Sequence, residues 1–348
     1  MQSIFELTFD QLAEQVQAWG QPAYRARQIW QGVYRDLAAS PDDITTLGKP
    51  LRAQLGQALS LASLTPAVSL RSSDGQTRKT LFHLGDGRPI ETVLMSYDHD
   101  GTRSRQTVCI SSQAGCALGC VFCATGQMGF GRNLTLGEMV EQVLYFARQL
   151  KAEGDSLTNV VIMGMGEPFL NYEATLAAID HLNDPEGFNF GERRITVSTV
   201  GIVPAVERFA EERRQVNLAV SLHAATDKLR TQLMPINRKY PLSALIPALR
   251  HYTDLTHRRV TFEWALIRGV NDTPEQAQKL TDLAAGLLCH VNLIPLNPSD
   301  GYAESPSTAE QVTAFKAVLD QRGIPCTVRV RRGVDIHAGC GQLAGKAG

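Results

Sequence analysis

Beyond about Ser112, short apolar β-branched runs alternate with helical stretches, and this alternation constrains the fold more than any other feature. "NVVIMGMG", "RITVSTVG", "VNLAVSLH", "RVTFEWALI", "HVNLIPLN" and "CTVRVRR" read as strands. Stretches such as "TLGEMVEQVLYFARQL" and "TPEQAQKLTDLAAGLL" separate them as helices. The pattern implies parallel βαβ units and an α/β fold, as a full or partial (β/α) barrel or an open sheet. Chemistry in such folds gathers at the C-terminal ends of the strands. Polar signatures stand there: "GMGEP" with Gly166 and Glu167, then Ser198, then Ser221, Leu222 and His223, and finally Asn297.

The first sixty residues read differently. Leu12, Val16 and Trp19 share a helical face after Thr8, a suitable N-cap. Pro22 suits the first turn of a second helix carrying Ile29, Trp30 and Val33, and a third begins near Pro50. From Leu61 to about Ser112 the runs are short and β-rich. They are punctuated by Asp74-Gly75, Asp86-Gly87 and Asp100-Gly101, dipeptides that favour tight hairpins.

Apolar residues make up 43% and charged residues 20% of the 348, which is ordinary for a globular protein with a sizeable core. The N-terminus lacks the basic and apolar regions of a signal peptide, and no run is long enough to span a membrane, so a cytoplasmic protein is expected. A formal net charge of −1 leaves any nucleic-acid partner to be met by local basic patches.

Four of the seven cysteines lie in "CISSQAGCALGCVFC", and the odd total does not resemble a disulfide framework. Cys116, Cys120 and Cys123 form a C-x3-C-x2-C arrangement. Structural zinc normally takes four ligands, and no histidine stands nearby to complete a set. Three thiolates on a [4Fe–4S] cluster leave one iron open for another ligand. A zinc or merely structural cluster is the plainer alternative. Cys340, flanked by Gly339 and Gly341, has little packing reason to be there; its permissive backbone suits a thiol that travels. Cys289 and Cys326 border apolar runs and read as core cysteines.

The cysteine spacing at the end of a first barrel strand resembles the radical S-adenosylmethionine (SAM) enzymes. Together, "CISSQAGCALGCVFCATG", "MGMGEPFLN", "VSLHAATDKLRTQLMPIN", "HVNLIPLN" and "VDIHAGCGQL" resemble the RlmN family in particular. The resemblance implies a partial (β/α) radical-SAM barrel with a small N-terminal helical accessory domain. The expected divisions are 1–60 for that domain, 61–88 for a β-rich extension, 89–343 for the radical SAM core and 344–348 for a tail. It implies a [4Fe–4S] cluster on Cys116, Cys120 and Cys123, and SAM contacts from Gly166, Glu167, Ser198, Ser221, Leu222, His223 and Asn297. Glycines 164 and 166 are expected to let the backbone approach SAM, and Glu167 to take its ammonium.

In that family the reaction is methylation of carbon 2 of an adenine in 23S ribosomal RNA and in tRNA. That carbon is electrophilic, so direct alkylation by SAM fails. The family instead methylates the thiol matching Cys340 with one SAM. A radical from a second SAM takes a hydrogen from that S-methyl group, and the resulting carbon radical adds to the base. The thiol matching Cys109 helps to resolve the covalent RNA adduct, ending in a disulfide with Cys340, and Glu91 matches a proposed proton acceptor; thiol and carboxylate both remain candidates for the C2 proton. A one-electron donor such as flavodoxin or ferredoxin and a monomeric state are further expectations.

Residues Asp335 to Cys340 depart from the family's usual Asp-Ile-Asp-Ala-Ala-Cys: His337 replaces a carboxylate, and Gly339 is expected to loosen the loop. The nearest alternative is the Cfr group, which methylates C8 of the same ribosomal adenine; Pro168 in "GEPFLN" favours the C2 enzymes. An alternative of another class is a non-enzymatic RNA-binding factor with a structural metal. For RNA contact, "PAYRARQIWQGVYR" offers Arg25, Arg27 and Arg35 with Tyr24, Trp30 and Tyr34, or else is a plain amphipathic helix. Arg71, Arg78, Lys79, Arg103, Arg105, Arg329, Arg331 and Arg332 offer a broader basic rim.

Overall fold

The computed structural model describes residues 1–99, 102–299 and 301–345. Ten strands form its main sheet: β1 (Thr65–Arg71), β2 (Thr77–His83), β3 (Pro89–His99), β4 (Thr102–Cys109), β5 (Asn159–Ile162), β6 (Ile195–Thr199), β7 (Asn217–Ser221), β8 (Val260–Leu266), β9 (Cys289–Pro295) and β10 (Cys326–Val328). Each lies beside its neighbour in the chain, with β1 and β10 at the edges. Strands β1 to β4 pair antiparallel. From β4 onward every pairing is parallel. The parallel part is the expected α/β partial barrel, open among the described residues.

The hairpins follow from local chemistry. Gly75 and Gly87 sit at φ of 71° and 81°, where a side chain is strained, and each closes its turn by donating to the carbonyl of Ser72 or Leu84. The Asp100-Gly101 turn, and residues 346–348 of the tail, fall outside the described residues.

Three helices precede the sheet: α1 (Phe9–Ala18), α2 (Tyr24–Tyr34) and α3 (Lys49–Ala58). Thr8 caps α1 in a reciprocal capping box with Gln11. Helix α2 starts two residues beyond Pro22, whose carbonyl accepts from Arg25 N–H at 3.0 Å. The helices dock on α4 (Leu136–Ala152) and α5 (Tyr172–Asn183), the crossovers after β4 and β5. Trp30 Nε1 donates to Asp184 at 2.7 Å, and His181 Nε2 lies 2.9 Å from the Leu7 carbonyl. One hydrophobic core runs without interruption from Ile4 to Leu343.

Candidate active site

The cysteine segment leaves β4 and turns back over the C-terminal ends of the strands. Gln142 of α4 fixes its start: its amide accepts from Ser111 N–H at 2.8 Å and donates to Ser111 C=O at 3.0 Å. Gly115 lies at φ 78°, and a Cβ there would meet the Gly129 carbonyl at 2.0 Å, so only glycine fits. Cys116 N–H then donates to that same carbonyl, and Cys123 N–H to Cys120 C=O at 3.1 Å.

Cys116, Cys120 and Cys123 line one cavity of about 280 Å³. So do Cys109, Gly166, Glu167, Ser198, Ser221, His223, Asn297 and Cys340. Residues 200 positions apart in the chain thus meet at the strand ends. Leu222 does not join them. Its side chain is fully buried in the core, and its backbone bridges Glu263 and Arg230. Glu91 also stands apart, in a second cavity of about 390 Å³ with Lys79 and Gln342.

The donor set fits the implied groups. Cys116 and Cys120 are each 8% exposed, and burial pushes the Cys116 thiol up to about 11 and Cys120 higher still, each raised further by the neighbouring thiols. Two buried thiols and the half-buried Cys123 on one cavity wall need a positively charged partner to ionise, which an iron–sulfur cluster provides. Among the described residues, no three such donors converge tightly enough to hold a single ion. Glu167 is buried, and desolvation raises its carboxyl to about 7 although Thr199, Val200 and Phe169 donate to it. An ammonium ligand would restore its charge. Asn297 Oδ1 is buried without a protein partner, while its Nδ2 donates to Cys340 C=O at 3.1 Å; a ligand donor can use the free oxygen. His223 Nδ1 accepts from Ala265 N–H at 2.9 Å, which places the proton of the neutral ring on Nε2, and burial, then Arg230, hold its pKa near 3.

Several expectations need correction. A Cβ on Gly166, at φ 100°, would lie 2.5 Å from Gln113 Cβ, and one on Gly164 2.7 Å from Ile110 C=O. These glycines are required by the packing of the strand ends, and both also line the main cavity. Gly339 is also closely packed: its N–H donates to Gln342 Oε1 at 3.0 Å, and a Cβ would sit 2.7 Å from both that oxygen and Asn297 Nδ2. Nor is the Cys340 segment free, since Gly341 C=O accepts from Ala124 N–H at 2.8 Å and Leu343 C=O from Thr125 Oγ1 at 2.6 Å. Cys289 is core, but Cys326 is half-buried because β10 is an edge strand.

The basic surface also divides. Trp30 and Tyr34 are buried against α5 and offer no stacking face, whereas Tyr24 is 56% exposed beneath Arg25. Arg27 pairs with Glu186, Arg78 with Glu153, and Lys79 is buried. Arg105, Arg329, Arg331 and Arg332 line the mouth of the main cavity, with Arg105 and Arg332 both over the Tyr97 ring. The Arg103 side chain lies outside the described residues.

Two contributors escaped sequence reasoning. Arg230 is fully buried and donates to Leu222 C=O, Val200 C=O, Ser221 C=O and Asn237 Oδ1, tying together the loops after β6 and β7. Glu263 faces the cavity from β8, held by Asn292 Nδ2 at 2.9 Å, and its carboxyl is raised by burial. A carboxylate inside the apolar run "VTFEWAL" was the available signal.

A three-thiol wall beside a buried carboxylate and an unpartnered amide, at the strand ends of a partial barrel, defines a radical SAM enzyme. The Radical SAM superfamily model matches residues 110–281, and that of the ribosomal RNA large subunit methyltransferase N-terminal domain matches 2–61. The chain belongs to the RlmN family of radical SAM RNA methyltransferases. It is 48% identical over 354 residues to a probable dual-specificity RNA methyltransferase RlmN of Chloroflexus aurantiacus, covering 99% of this chain and 93% of the relative. Dual-specificity RNA methyltransferase RlmN 1 of Myxococcus xanthus is 49% identical, with 98% and 94% covered. The crystal structure of a radical SAM methyltransferase from Sphaerobacter thermophilus superposes with a TM-score of 0.95 at 53% identity, covering 99% of this chain and all of that one.

Proposed function

We propose that this protein methylates carbon 2 of an adenine in 23S ribosomal RNA and in tRNA, with Cys340 carrying the methyl group and Cys109 resolving the RNA adduct. The carrying observation is that both thiols line the cavity of Cys116, Cys120 and Cys123, close enough that Cys340 helps to raise Cys109. Cys116, Cys120 and Cys123 would hold the cluster, and Gly166, Glu167, Ser198, Ser221, His223 and Asn297 line the space that SAM would take. The bound cluster and SAM together supply one-electron cleavage of a sulfonium carbon–sulfur bond.

The chain's own groups do the rest. Burial pushes the Cys109 thiol up to about 12, and Cys340 is raised by desolvation of its sulfur at the cavity wall, then by Glu263, although the residue as a whole is exposed; both rest as neutral thiols until a step removes the proton. Arg105, Arg329, Arg331 and Arg332 at the mouth meet RNA phosphates while the base is flipped inward. Glu91, the proposed proton acceptor, is bound to Lys79 in this state and must be released to act. A flavodoxin- or ferredoxin-type donor, a monomeric state and the cytoplasm complete the proposal; no helix among the described residues is long and apolar enough to cross a membrane.

The test is mass spectrometry of ribosomal RNA and tRNA after anaerobic incubation with SAM and a reductant. 2-Methyladenosine in both RNAs is expected. 8-Methyladenosine, or no methylation by cluster-loaded protein, refutes the assignment.

A further inference from the structure

The segment carrying Cys340 is a partition between two cavities. Ala338, Gly339, Cys340, Gly341 and Leu343 line the main one, while His337, Gln342 and Ala344 line the second. A single buried ion pair grips this partition on both flanks. Lys79 on β2 and Glu91 on β3 are diagonal neighbours across the antiparallel ladder, since Lys79 pairs with Val93. Their Nζ–Oε1 separation is 2.7 Å, an ion pair in close contact though not aligned as a hydrogen bond, with side chains 4% and 1% exposed. Lys79 Nζ also donates to His337 C=O at 3.3 Å, just before Cys340. Glu91 Oε2 accepts from Ala344 N–H at 2.8 Å and Gly345 N–H at 3.1 Å, just after it.

A buried ion pair is a poor way to gain stability, because an apolar pair of similar volume does as well or better. Placed here, its charges do something an apolar pair cannot: each holds backbone of the thiol segment. We propose that Lys79 is a positioning residue for Cys340, its pair with Glu91 forming a clamp whose release lets the partition shift toward the second cavity. The link to catalysis rests on the reading of Cys340 as the methyl carrier; the clamp itself does not.

The test is hydrogen–deuterium exchange of the cluster-loaded protein, comparing wild type with Lys79→Met and with a chain ending at Leu343. The truncated chain keeps both members of the ion pair and lacks the Ala344 and Gly345 donors, so it tests the clamp even where Lys79→Met fails to fold. Peptides from 333–343 should exchange at least about tenfold faster in each variant, while those from β9 keep their rate. Lys79→Arg should return exchange toward wild type, and combining Lys79→Met with truncation should exceed neither change alone, because both open one clamp. Unchanged exchange at 333–343 in the truncated chain, or equal acceleration in β9, overturns the proposal. A second readout is 5′-deoxyadenosine released per methyl group delivered to RNA, expected to rise at least about threefold in Lys79→Met as the acceptor thioether loses its pose. Faster exchange with an unchanged ratio would retain the clamp and overturn its role in positioning Cys340 for the reaction, while absence of the methylene mass on the Cys340 peptide of wild type would overturn the reading of Cys340 as methyl carrier.

Discussion

Glu167 carries the sharpest quantitative expectation. In the protein without cofactors, burial raises its carboxyl from 4.5 to about 7, against hydrogen bonds from Thr199, Val200 and Phe169 that favour the charge. Across that window the folded state holds a proton that the unfolded chain has released. Stability from this group is therefore complete below about pH 4.5 and is lost as the pH rises to about 7. At about 1.36 kcal/mol per unit, the displacement amounts to about 3 kcal/mol. Glu167→Gln has no proton to lose and mimics the protonated acid. Urea denaturation of the cluster-free protein should show wild type losing about 3 kcal/mol relative to the variant across the window. Curves that stay parallel within about 1 kcal/mol would refute the burial argument. Because an ammonium favours the charged form, SAM binding should also tighten with rising pH through this range in wild type and not in the variant.

Replacing Cys116, Cys120 or Cys123 by Ala should remove SAM cleavage and lower the iron content, with full turnover by any one variant sinking the cluster assignment. Cys340→Ala should keep its cluster and lose both RNA methylation and the extra methylene mass on its own peptide. Cys109→Ala should instead stall as a nuclease-sensitive protein–RNA band on denaturing gels; normal turnover without a band would break the pairing of the two thiols. Arg230→Met leaves the carbonyls of Val200, Ser221 and Leu222 without their donor, so a loss of about 3–5 kcal/mol is expected in thermal or urea unfolding.

The sequence disclosed the frame of this molecule through features that act locally. β-Branched runs, Thr8 at a helix start and Asp-Gly dipeptides at hairpins need no distant partner to be recognised. The cysteine spacing was legible because a cluster fixes the spacing of its ligands. What stayed hidden depends on contacts far apart in the chain. Arg230 and Lys79 look like surface cations until folding buries them, and Trp30 and Tyr34 look like stacking platforms until α5 covers them. Gly339 suggests freedom in the sequence, but Asn297 and Gln342, brought in by folding, close around it.

The unbroken strand order also governs how the molecule comes into being. Within the ten-stranded sheet each strand pairs with the sheet strand made before it, so that sheet can grow vectorially behind the ribosome without a distant strand leaving an edge exposed. The great exception is the closing segment, where His337 returns to Lys79 across 258 positions and Ala344 to Glu91 across 253. Such closure carries a large loop entropy and can occur only once residues 337–345 have been made. The wall that separates the two cavities is thus the last part to be laid, and the three cluster thiols reach their places while that side of the chamber still stands open.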